Sequence, residues 1–203
     1  MISTDGRWIF VHIQKTAGNA VRSALGVELN DARKHFLAHE LRRLYGEAAW
    51  QRAFKFAFVR NPWDRLVSWW SMIDAARDPL RAPQLNKFHD YVLRRARNFE
   101  EFIANCTDEV VDDDGRKHVF RNQIDYLVDE KGTVIVDFIG RFECLQRDFT
   151  EVSTRIGIAR TDLPRVNMSQ HAHYTEYYSP ALAERVGRLY ARDIATFGYR
   201  FGD

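Results

Sequence analysis

The chain has 203 residues, 45% of them apolar, which suffices for one α/β domain with a sizeable core and argues against disorder. Thirty basic residues against 28 acidic ones leave a net charge of +2, so the broad basic face of a nucleic-acid binder is absent and any anion site must be local. No apolar run approaches the roughly 18 to 20 residues needed to span a bilayer, the start "MISTDGRW" has no signal-peptide core, and Cys106 and Cys144 lie far apart in no metal-ligand spacing; a soluble, cytoplasmic protein with two buried thiols is expected.

"WIFVHI", Trp8 to Ile13, is a short β-type run. "QKTAGNAVRSAL" follows as a tight turn opening a helix, with Ala20, Val21, Ala24 and Leu25 on one face. A more polar helix around "HELRRLY" leads to "FKFAFV", an almost continuous apolar strand of the kind buried on both faces of a parallel sheet. The opening therefore reads βαβα. Beyond it come helical pieces, "NKFHDYVLRRA" and "FEEFIANC", and the acidic turn "VVDDDGRK", which reads as a surface loop. "QIDYLVDEKGTVIVDFIG" reads as two extended runs around a Lys131-Gly132 turn. The next helix carries Leu145, Phe149, Val152 and Ile156 and stops near Gly157. A last helix starts at Ser179-Pro180, buries Leu182, Val186, Leu189, Tyr190 and Ile194, and ends at Gly198.

Two of these strand-to-helix turns have residues suited to an anion. In "FVRNPWDRLVS", Asn61 can cap the helix, Pro62 suits its first position and Asp64 favours its dipole, but none of this explains Arg60. An arginine at the carboxyl end of a buried strand stands where open α/β sheets bind ligands, and Ser68 lies two helical turns after Asn61. Either the pair serves a phosphate, or Arg60 pairs with a carboxylate such as Asp64 and Ser68 fills a small gap. In "HIQKTAGNA", Lys15, Thr16 and Gly18 lie between a strand and a helix start, where unpaired backbone N–H groups attract anions. The lysine precedes the only glycine, so this is no Walker A loop. Two such turns could hold two phosphate-like groups of one nucleotide.

Together these motifs resemble the PAPS-dependent sulfotransferases (PAPS, 3′-phosphoadenosine 5′-phosphosulfate) of the carbohydrate or Golgi-type superfamily and its soluble bacterial relatives. "DFIGRFECLQRDF" and the ending "YYSPALAERVGRLYARDIATFGYRF" extend the likeness over most of the chain, from about Trp8 to Phe201. The resemblance implies a single sulfotransferase domain over residues 1–203 with a P-loop-like three-layer α/β/α fold and a central, mainly parallel sheet. It implies that Lys15, Thr16, Ala17, Gly18 and Asn19 hold the 5′-phosphosulfate, and that Arg60 and Ser68 hold the 3′-phosphate. Relatives commonly continue "KTAG" with hydroxyl residues, whereas this chain has Asn19 and Ala20.

The reaction so implied is an in-line sulfuryl transfer to a hydroxyl of an acceptor, a glycan or small molecule, with release of PAP and no metal. Lys15 suits the charge that builds on the leaving group. For the base, seven histidines compete: His12 in the first strand, His89 and His118 in the middle region, His171 and His173 in "NMSQHAHY", and His35 and His39 in "KHFLAHEL". Related enzymes carry a catalytic histidine near the last segment, where His35 aligns more naturally than His39; an exposed or capping histidine is the alternative for each. "LRRARN" and "RKH" either attract an acidic glycan or form solvated faces, and Trp69, Trp70, Tyr177 and Tyr178 either stack a ligand or belong to the core. A catalytically silent nucleotide-binding scaffold and a small-molecule kinase are the competing readings.

Overall fold

A computed structural model describes residues 1–27, 35–78, 86–112, 115–159, 162–164 and 172–203. In chain order the elements are β1 (Trp8–Val11), α1 (Gly18–Ala24), α2 (Ala38–Tyr45), α3 (Glu47–Arg52), β2 (Phe54–Val59), α4 (Pro62–Asp74), α5 (Lys87–Arg95), α6 (Phe99–Asn105), β3 (Val110–Asp112), β4 (Gly115–Lys117), β5 (Phe138–Arg141), α7 (Leu145–Ile156), α8 (Pro180–Leu189) and α9 (Ala191–Phe197). They divide into two units. Met1–Arg60 with Gln123–Asn167 forms the first and Asn61–Asn122 with Met168–Asp203 the second.

The first unit is built on a parallel sheet of order β1-β2-β5. Trp8 pairs with Phe54 and Val11 with Ala57, and on the other side of β2 Phe56 pairs with Phe138 and Val59 with Arg141. Because β2 lies between two parallel partners, its residues need apolar side chains on both faces, which is what "FKFAFV" supplies. Phe10, Phe56, Phe58 and Phe149 are fully buried and pack with Trp8, Val21, Val152 and Ile156. Removing each phenylalanine from water stabilises the fold by about 1.5–3 kcal/mol. α7 lies on this layer, and Gly140 of β5 lets Phe58 approach, since a Cβ there would stand 2.5 Å from the ring. Lys55, the one charge within β2, is paired with Asp137 at 2.9 Å.

In the second unit α4 packs against α5, α6 and α8. Its N-terminus follows the sequence rules: Asn61 accepts from the Trp63 N–H at 3.1 Å and Pro62 takes the first position. Trp69 and Trp70 are 4% and 6% exposed and belong to this core. Among the described residues no helix is long and apolar enough to cross a membrane.

Several expectations are corrected. β1 ends at Val11, so His12 lies beyond the strand, in the turn that reaches positive φ at Lys15. "QIDY" is a 3-10 turn, Gln123–Tyr126, rather than an extended run, because both terminal side chains are drawn to backbone and side-chain partners elsewhere in the unit. "VVDDDGRK" contains the antiparallel pair β3 and β4, tied by a buried Asp112–Lys117 ion pair at 2.8 Å; residues 113 and 114 lie outside the described residues. The last helix is two. Tyr190 leaves helical geometry (φ −107°) with its side chain fully buried and its hydroxyl donating to the Val119 carbonyl, which ends α8 and leaves Leu189 exposed. Cys106 is buried as expected, while Cys144 is half-buried.

Candidate active site

The carboxyl ends of all three parallel strands converge in the first unit. After β1 the chain runs through His12 to Ala17 into α1, and two non-glycine residues take left-handed backbone there, Lys15 (φ 68°) and Ala17 (φ 63°). Such conformations disfavour L-residues by about 1–2 kcal/mol each and persist where the surroundings impose them. Burial alternates along this loop. Gln14, Thr16 and Gly18 point inward, at 4% and 0% exposure for the first two, while Lys15 and Ala17 are half-exposed and Asn19 is exposed. The inward residues hold the loop: the Thr16 hydroxyl donates to the Ile13 carbonyl at 3.0 Å, and the Tyr126 hydroxyl donates to Gln14 Oε1 at 2.5 Å. Ala17, as N-cap of α1, offers no side-chain oxygen to the first-turn N–H groups. Thr16 therefore presents its backbone, not its hydroxyl, and Ala20 is buried.

Arg60 follows β2 and is 6% exposed. Its guanidinium donates through Nη1 to the Lys15 carbonyl at 3.3 Å and lies 3.9 Å above the Phe142 ring, which directly follows β5. The two turns singled out from sequence thus meet through a hydrogen bond, with the end of β5 flanking them. Arg60's own backbone is fixed by Gln123, whose Oε1 accepts from the Arg60 N–H at 2.9 Å and whose Nε2 donates to the Arg60 carbonyl at 2.8 Å.

His35 adjoins the first turn. Its Nδ1 lies 3.2 Å from the His12 carbonyl and its ring 4.6 Å from the His12 ring, which stacks on Phe10 at 5.4 Å. The His12 ring in turn covers Gly18 so closely that a Cβ there would stand 1.7 Å from Nε2. A carbonyl only accepts, so His35 Nδ1 carries the proton of that bond and the neutral imidazole has its lone pair on Nε2, the form a base requires. His39 is placed elsewhere, with Nδ1 3.4 Å from the Val128 carbonyl, beside a shallow cleft of about 360 Å³ that Arg42, Arg43, Glu47 and Glu130 also line. There Arg42 holds the Glu47 carboxyl below its ordinary range by hydrogen bonding.

Ser68 lies in the second unit, buried on α4. His89 is buried on α5, His118 Nε2 lies 3.0 Å from the Thr107 carbonyl, and the exposed His173 contacts the Thr175 hydroxyl at 2.7 Å; His171 lies outside the described residues. The basic runs are matched by acids: Arg94 with Asp90, Arg97 with Glu101, and Arg116 with Glu109. Among the described residues no cluster of three His, Cys, Asp or Glu side chains is placed to hold a metal. Gln123, Tyr126 and Phe142 were not singled out from sequence, and it is the 3-10 geometry of Gln123–Tyr126 that puts the first two on one face.

The profile of the sulfotransferase family (Sulfotransfer_2) matches residues 1–200. No curated protein matches the chain at a significant level. Among solved structures it is similar to the mouse sulfotransferase SULT7A1, crystallised in complex with PAP, at 15% identity over 96% of this chain and 86% of that one, with a TM-score of 0.54. It is also similar to a sulfotransferase from Alicyclobacillus acidocaldarius, at 16% identity over 93% of each chain and a TM-score of 0.40. The first likeness bears out the P-loop-like α/β/α fold.

Proposed function

The chain belongs to the sulfotransferase family, and from that premise we propose that it uses PAPS to sulfate a hydroxyl of a carbohydrate acceptor. The observation that carries this reading is the hydrogen bond from the Arg60 guanidinium to the Lys15 carbonyl, because it makes one site of two turns that each suit a phosphate. The family profile runs through both units, which supports residues 1–203 acting as one sulfotransferase domain.

The residues fit such a nucleotide. The backbone of Lys15 to Gly18, with Asn19 exposed beside it, offers N–H groups and a lysine to the 5′ group. Arg60, partly desolvated, takes the 3′-phosphate; the role of Ser68 toward that phosphate rests on the sequence motif. PAPS, when bound, supplies the sulfuryl group, whose bond to the bridging oxygen breaks as the acceptor oxygen bonds to sulfur, and PAP departs. The Lys15 ammonium neutralises charge developing on that oxygen, and His35 Nε2 accepts the acceptor's hydroxyl proton.

The experiment is a screen of glycans, phenols and small alcohols with 35S-labelled PAPS. Transfer to a glycan, lost by about 100-fold or more in Lys15→Ala while PAPS affinity changes less, is the expected result. PAP binding without transfer to any acceptor would point to a silent scaffold, and stabilisation by ATP with magnesium but not by PAP would refute the donor assignment.

A further inference from the structure

We infer that the Gln123–Tyr126 turn is a brace that fixes the spacing of the two phosphate sites, with Gln123 positioning Arg60 and Tyr126 positioning the Gln14–Gly18 loop. This rests on the assignment of PAPS as donor and deepens it by naming residues that touch no ligand yet set how well both ends of the nucleotide are met.

The pairing of β2 with β5 reaches Val59, opposite Arg141, and goes no further. Arg60 therefore lies one residue beyond the ladder, where its backbone N–H and carbonyl have lost a strand partner while the side chain must hold a defined direction. Gln123 replaces that partner. A side-chain amide has the same donor and acceptor as a peptide group, and both ends of this one bind the backbone of Arg60, at 2.9 and 2.8 Å, with Gln123 itself fully buried. In a 3-10 turn residues three apart project from the same face, so Tyr126 faces the site as well. It is fully buried, and its hydroxyl donates to Gln14 in the first loop.

The turn is anchored in its own right: the Leu127 N–H donates to the Ile124 carbonyl and the Ile135 N–H to the Leu127 carbonyl, each at 2.9 Å. One short rigid piece thus grips Arg60 at one end and the first loop at the other. The 3′- and 5′-phosphates of PAP are held apart by a single ribose, so binding both at once demands sites already at that separation.

The test compares PAP with 5′-AMP, which lacks only the 3′-phosphate, by titration calorimetry on the full chain. Gln123→Leu removes both amide contacts and is expected to weaken PAP by about 10-fold and 5′-AMP by no more than about 2-fold. In the Arg60→Ala background Gln123→Leu should add no further loss of PAP affinity, because its effect passes through Arg60. Tyr126→Phe acts at the other end and should weaken both ligands by the same factor, about 5-fold. A Gln123→Leu effect equal for the two ligands or fully additive with Arg60→Ala, as general loss of stability produces, would overturn the brace, and so would no effect on PAP. Should Gln123→Leu not fold, Tyr126→Phe, which deletes one oxygen, decides: equal losses with an unchanged urea midpoint support the brace, and equal losses that follow a lowered midpoint, no loss, or a loss confined to PAP overturn it. Failure of the unaltered protein to bind PAP would instead overturn the donor assignment and the brace with it, whereas PAP binding that depends on Arg60 but not on Gln123 or Tyr126 overturns the brace alone.

Discussion

Replacing Arg60 by alanine should separate two nucleotides that differ by one phosphate. The guanidinium is 6% exposed, lies 3.9 Å above Phe142 and donates to the Lys15 carbonyl at 3.3 Å. A charge-assisted contact to phosphate in so desolvated a place contributes about 2–4 kcal/mol, equivalent to a rise in the PAP dissociation constant of about 30- to 1000-fold. The long bond to a neutral carbonyl contributes about 0.5–1 kcal/mol, so loosening of the first loop should weaken 5′-AMP by only about 2- to 5-fold. Arg60→Lys keeps the charge but loses the planar fork and its packing over the ring, and should fall between. Calorimetric titration of both ligands at one ionic strength measures the difference. Equal losses for PAP and 5′-AMP, or a PAP loss below about 3-fold, would refute the assignment of Arg60 to the 3′-phosphate.

His35→Ala should leave PAP affinity nearly intact while lowering turnover by about 100-fold or more. A base works only when deprotonated, so activity of the unaltered enzyme should fall as the pH drops and the imidazole takes up a proton, and that acidic limb should vanish with His35; survival of the limb in His35→Ala and its loss in His39→Ala would reverse the assignment. Gly18→Ala would drive a methyl into the His12 ring, which Phe10 and His35 flank, so urea unfolding should show a loss of about 2–4 kcal/mol, against less than about 0.5 for the exposed Asn19→Ala. Burial pushes the Cys106 thiol up to about 11, leaving about one part in a thousand as thiolate at pH 8. Iodoacetamide should accordingly label Cys144 in the folded protein and reach Cys106 only after denaturation, as peptide mass spectrometry would show; rapid labelling of both in the native state contradicts this.

What could be read in the sequence was local. Both anion turns follow from an apolar strand running into a capped or glycine-led helix, and those signals lie within about ten neighbouring residues. The support beneath them is not local. Gln123 binds a backbone 63 positions away and Tyr126 a side chain 112 positions away, and nothing in "QIDY" alone distinguishes a polar brace from a strand. The break at Tyr190 was equally hidden, because apolar spacing continues through it; only the buried partner of its hydroxyl, the Val119 carbonyl, ends the helix there. Strands of three residues such as β3 and β4 are too short for alternation to register.

The in-and-out alternation of the first loop also divides the tasks open to mutation. Gln14, Thr16 and Gly18 form its foundation, so variation there changes whether the loop exists at all. Positions 15, 17 and 19 face outward, and variation there changes what the loop offers a ligand, with the backbone path kept where the new residue at 15 or 17 tolerates left-handed geometry. A combinatorial library aimed at donor recognition should therefore randomise Ala17 and Asn19 together and hold the even-numbered residues constant. At position 17 glycine, asparagine and aspartate adopt the left-handed conformation most readily, and at position 19 threonine or serine would add a hydroxyl. Adaptation of the loop is in this sense modular: its frame and its chemistry occupy alternate residues, and the second can drift without dismantling the first.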